Sequence, residues 1–129
     1  MAERISIVAL SGMREQLQMA AMIASVGAVS GNQVVVFLSM NALEYFVKGA
    51  NELAPAEGHV GVLLEKKNAP PFKTLFQHAV ELGDAKIYPC SMAMDILGLQ
   101  PADLDPYLSE PLGLTKFLSD ASGGQVWSF

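Results

Sequence analysis

The chain holds a single thiol, Cys90, and its neighbours decide what that thiol can do. Cys90 stands between a β-type run, Ala85–Pro89, and a short helical run, Ser91–Leu97, that Gly98 stops. A cysteine at or just before a first helical turn faces unpaired backbone N–H groups and the positive end of the helix dipole. Both stabilise the thiolate, the nucleophilic form, and a persulfide anion would gain from the same donors. Asp95 either opposes this by bringing a carboxylate towards the sulfur or serves the helix start; both readings stay open. The plainer alternative for a lone cysteine is a small buried hydrophobe. With one cysteine the chain forms no internal disulfide and no Cys-rich zinc site, and His59 and His78 add little for a metal. His78 falls on the polar face of its helix with Thr74 and Glu81, and His59 lies in the segment hardest to read.

The elements that must position Cys90 alternate between strand and helix. Ile5–Leu10 is β-branched and nearly continuous in apolar residues, as a strand buried on both faces requires. Ser11-Gly12 breaks it, and Met13–Val29 follows with helical periodicity and many small residues, including Ala20, Ala21, Ala24, Gly27 and Ala28. Such a helix lies close to a neighbour, either its own sheet or another subunit. Gln33–Leu38 is a second buried strand, Ser39-Met40-Asn41 closes it, and Asn41 is placed to cap a short helix over Ala42–Lys48. Within 50–69, Val60–Leu64 fits either a strand or a short helix. Pro70-Pro71 opens a helix at Phe72, with Phe72, Leu75, Phe76, Ala79 and Val80 as its buried stripe. After Ser91–Leu97 come a turn near Pro101–Leu104, a helix over about Leu112–Ser119 and a closing strand, Gln125–Phe129.

This alternation predicts one α/β domain over residues 1–129, a three-layer α/β/α sandwich on a mostly parallel sheet. A strand order near 2-1-3-4 is expected, with the first strand and the Ile87 strand central. Ligand sites in such sheets gather beyond the carboxyl ends of the strands. The expected site is therefore Cys90 with Ser11, Gly12, Met13, Ser39, Met40, Asn41, Ser91, Met92 and Asp95 lining it.

Composition narrows the partners. Hydrophobic residues make up 51% of the chain and charged residues 16%, which suggests that other copies cover some apolar surface. The net charge is -5 and the densest basic run is Lys66-Lys67, so no phosphate-binding stripe for nucleic acid exists. No apolar run approaches the roughly 20 residues of a membrane span, and no leader pattern precedes Ile5; a soluble cytoplasmic protein is expected. No Gly-x-Gly-x-x-Gly or P-loop pattern supports nucleotide binding.

The segment Ile87-Tyr88-Pro89-Cys90-Ser91-Met92-Ala93-Met94-Asp95-Ile96-Leu97-Gly98 resembles the cysteine motif of the DsrE/DsrF-like family, in the branch often labelled peroxiredoxin-like. The order of strands and helices along nearly the whole chain is similar too. The resemblance implies an α/β sandwich that assembles as a trimer or hexamer and carries sulfane sulfur as a persulfide on the matching cysteine, Cys90. It implies exchange with TusA-like or rhodanese-like proteins and no cofactor. Two features depart from the family pattern: Pro89 stands where a small residue is usual, and Ala54–Lys67 is shorter and less Met-rich. The other function classes are a thiol peroxidase, which needs a resolving thiol this chain lacks, and a non-catalytic oligomeric module with a structural cysteine. Of Met92 and Met94, two apart on a helix, at least one is expected in the core.

Overall fold

A computed structural model describes residues 3–129 of the chain. Met1 and Ala2 lie outside the described residues. The strands are β1 (Arg4–Ala9), β2 (Gln33–Leu38), β3 (Lys86–Pro89) and β4 (Gln125–Ser128). The helices are α1 (Arg14–Val29), α2 (Met40–Leu43), α3 (His59–Lys66), α4 (Phe72–Gly83), α5 (Ser91–Leu97) and α6 (Leu114–Ala121), with 3-10 turns at Glu44–Phe46 and Pro101–Asp103. Among the described residues, no helix is long and apolar enough to cross a membrane.

All strand pairs are parallel, in the order β3-β2-β1-β4. The α/β class holds, but the expected order near 2-1-3-4 does not. β1 and β2 are central, and the Ile87 strand is an edge that pairs with β2 from Val35↔Lys86 to Leu38↔Pro89. Pro89 has no N–H to give a further strand, which suits an edge position. Its outer side is nevertheless covered, because the N–H groups of Ser109 and Leu112 donate to the carbonyls of Ile87 and Pro89 at 2.8 and 3.0 Å. At the opposite edge β4 pairs with β1 and all four of its residues are exposed.

The side chains of Ile5, Ile7, Val34 and Val36 alternate onto one face, where α1 and α4 pack side by side. The small residues of α1 serve this packing. Ala20, Ala21, Ala24, Gly27 and Ala28 are buried, and a Cβ on Gly27 would sit 3.2 Å from the Val34 side chain. α4 crosses equally close, since a Cβ on Gly83 would lie 2.5 Å from Cβ of Ala28. The predicted α4 stripe points inward, with Phe76 against Phe46 at 5.6 Å between ring centroids. The other face carries Phe37, stacked at 4.8 Å on Phe117 of α6. Helices on both faces complete the three layers.

The 54–61 segment is held to the start of α1 by side chains rather than by periodicity. Arg14 donates through Nε to the Ala54 carbonyl and through Nη1 to the Gly61 carbonyl, each at 2.8 Å. Glu15 accepts from the N–H groups of Glu57, Gly58 and Gly61 at 2.8, 2.7 and 3.2 Å. Val60–Leu64 is therefore helix.

Candidate thiol site at the carboxyl ends of the strands

Cys90 continues β3 in extended conformation and is the N-cap residue of α5, with ψ 122°. Its N–H donates to the Leu38 carbonyl at 2.7 Å, tying it to the end of β2. On its other side it bridges to Leu112, whose carbonyl accepts from the Ser91 N–H at 3.0 Å. Cys90 is thus bracketed by main chain on both flanks, and it is 7% exposed. The Cys90 carbonyl accepts from Met94 N–H, which closes the first turn of α5. The next amides, of Met92 and Ala93, carry no backbone partner among the described residues. They are the donors a side chain at the N-cap position can meet.

The α5 side chains divide as a helix requires: Met92 is exposed, whereas Met94 is buried at 4%. Ser91 is exposed, with Oγ 3.9 Å from where a Cβ on Gly113 would lie. Asp95 is exposed in the second turn and makes no cap to the helix start. That removes the capping alternative for this carboxylate.

The ends of β1 and β2 form a cleft of about 410 Å³ lined by Ser11, Gly12, Met13, Met40 and Asn41. Cys90 does not line it; Ser39, buried at 6%, stands next to the Leu38 carbonyl that binds the Cys90 N–H. The expected residues therefore fall into two adjoining groups, one around the cleft and one around the thiol. Ser11 is occupied locally, since its Oγ accepts from the Met13 N–H at 3.0 Å and donates to Gln16 Oε1. Gly12 allows the two loops to meet, because a Cβ there would touch Cβ of Asn41 at 3.0 Å. Asn41 is not the cap of α2. A single residue, the N-cap Ser39, separates strand from helix, and Met40 is already turned to φ +49°. Left-handed backbone is costly for methionine and lets the chain reverse without extra loop residues.

Tyr45, Glu44 and Pro55 also line this cleft and were not among the residues expected there. Tyr45 donates its hydroxyl to the Gly12 carbonyl at 3.1 Å. Burial first, then the carboxylates of Glu44 and Glu52, hold its phenol above the ordinary value, so it remains a protonated donor. Its position four residues after Asn41 on a helical turn is the signal that could have found it. Leu112 had none, since only the return of the chain along β3 brings it to Cys90. His59 begins α3 and His78 lies on α4, both exposed. Among the described residues, no group of His, Cys, Asp and Glu is arranged to hold a metal ion.

A sequence profile described as the DsrE/DsrF/DrsH-like family matches residues 55–129, which include β3, Cys90 and α5. Among solved structures, the ychN protein from E. coli aligns over 100% of both chains with a TM-score of 0.69 at 16% identity. A protein of unknown function, MTH1491 from Methanobacterium thermoautotrophicum, aligns over 98% of this chain and 99% of its own, with a TM-score of 0.64 at 8% identity. At these identities the likeness is one of fold. No curated protein matches the sequence.

Proposed function

The chain belongs to the DsrE/DsrF/DrsH-like family, and from that premise we propose that it is a cytoplasmic sulfur carrier, or sulfurtransferase, that holds sulfane sulfur on Cys90. In the proposed cycle the Cys90 thiolate attacks the outer sulfur of a donor persulfide. The donor S–S bond breaks, the donor leaves as thiolate, and Cys90 becomes the persulfide. An acceptor thiolate then attacks that outer sulfur, the Cys90 S–S bond breaks, and the Cys90 thiolate is restored. Each step exchanges one S–S bond for another, so no oxidant, reductant or resolving cysteine is consumed. TusA-like or rhodanese-like proteins fit the roles of donor and acceptor.

The observation that carries this reading is the place of Cys90, the only cysteine, at the N-cap of α5 within the family-matched segment. The amides of Met92 and Ala93 offer a terminal persulfide anion donors of the kind that stabilise negative charge at helix starts. One observation favours a second reading, the structural cysteine: Cys90 is only 7% exposed. Incubation with polysulfide, followed by intact mass, separates the two. A one-sulfur adduct that reductant removes and that Cys90→Ser lacks is expected. A chain that stays unmodified while an exposed model thiol is loaded would leave Cys90 as a packing residue.

We further propose that the protein self-associates. Met19, Met22, Val26 and Val29 form an exposed apolar row on α1, left open because the small residues face inward. Light scattering is expected to give a multiple of 13.8 kDa, and the monomer mass at micromolar concentration would refute the assembly.

A further inference from the structure

Away from Cys90, a cavity of about 460 Å³ opens between the start of α1, the 50–54 segment and the Asn68–Lys73 stretch that leads into α4. We propose that it binds a small amphipathic carboxylate. Leu53, Leu64 and Phe72 supply apolar wall, and a few polar groups converge on it, as in a site built for a small molecule. Gln18 is 93% buried by its exposure of 7%, and its Nε2 donates to the Pro70 carbonyl at 2.9 Å. Its Oε1 takes no hydrogen bond among the described residues and faces solvent-accessible space.

Charge decides the class of ligand. The cavity is lined by two cations and two carboxylates, Glu52 and Glu65, and the recessed groups are the cations, Arg14 with a side chain 14% exposed and Lys73 at 30%. Lys73 is already matched by Asp105 at 2.9 Å. Arg14 gives Nε and Nη1 to carbonyls, and its one carboxylate, Glu65, stands 3.5 Å away with a side chain 58% exposed. Nη2 has no partner among the described residues. A recessed guanidinium with an unpartnered Nη2 and a loose partner at the rim favours an entering carboxylate, which can approach at charge-assisted hydrogen-bond distance. The apolar wall then covers the body of the ligand.

Phenylacetate, with phenylacetamide as its neutral match, tests this on the whole chain by amide chemical shifts, up to about 10 mM. Saturable shifts at Gln18, Leu64, Ala69 and Phe72 are expected, with the amide binding about tenfold more weakly. Glu65→Gln removes the competing carboxylate from an exposed position and is expected to tighten phenylacetate about threefold while leaving phenylacetamide unchanged. Ala69→Leu fills the cavity without touching the side-chain hydrogen bonds and should abolish both. Equal binding of acid and amide, no response to Glu65→Gln, no shifts at all, or shifts centred elsewhere would each overturn the site.

Discussion

Glu15 shows how much one half-buried side chain can organise. Its carboxylate accepts from three backbone N–H groups at the start of α3, chiefly Glu57, and these bonds hold its pKa below the ordinary carboxylate value. Because the folded value is depressed, the clasp is fully present above the unfolded carboxylate value and is lost as pH falls through the folded one. The amide shifts of Glu57, Gly58 and Gly61 are therefore expected to move together in acid, in a transition absent from Glu15→Gln. A transition at or above the ordinary carboxylate pH would contradict the clasp. Gly61 belongs to the same unit, since a Cβ there would overlap the Glu15 carboxylate.

Between elements, α1 fits closely against α4. Gly83→Ala would place a methyl group 2.5 Å from Cβ of Ala28 and 2.7 Å from its carbonyl carbon. The helices must separate, so a loss of about 1–3 kcal/mol is expected in urea unfolding; an unchanged midpoint would mean that α4 is free to shift. Elements whose cause is local are the ones legible in the sequence. α1, β2, α4 and α5 follow from periodicity, Pro70-Pro71 and the Gly98 stop, where backbone φ is +69°. The place of Cys90 at a strand-to-helix junction was legible for the same reason. Strand order was not, because it depends on pairing between distant segments, although Pro89 held a local clue to the edge. Nor was the start of α2, where Ser39 and not the expected Asn41 is the cap, because Met40 takes up the turn itself. α3 is decided by Arg14 and Glu15 on another helix, and Leu112 reaches Cys90 only through the tertiary return of residues 109–112. Side chains acting across the chain leave no periodic trace.

At the scale of the whole molecule, the sheet joins the earliest strand to the latest, with Ile5 beside Gln125 and Val8 beside Ser128. β1 supplies core on both faces, whereas β4 buries none of its own residues. Pairings so far apart in sequence slow folding, because the ends must meet before the contacts are gained. Until they do, β1 presents an open edge beside a largely apolar surface. β4 is in this sense a guard strand. Its contribution is less the burial of Val126 or Trp127 than the occupation of hydrogen-bonding positions that a second chain could otherwise take. A chain shortened to end at Ser122 is expected to retain helix signal but to scatter light increasingly with time. A stable, non-aggregating product would show that β1 needs no such cover. The division of labour is then between strands that make the core and one that keeps the core from being extended by a stranger.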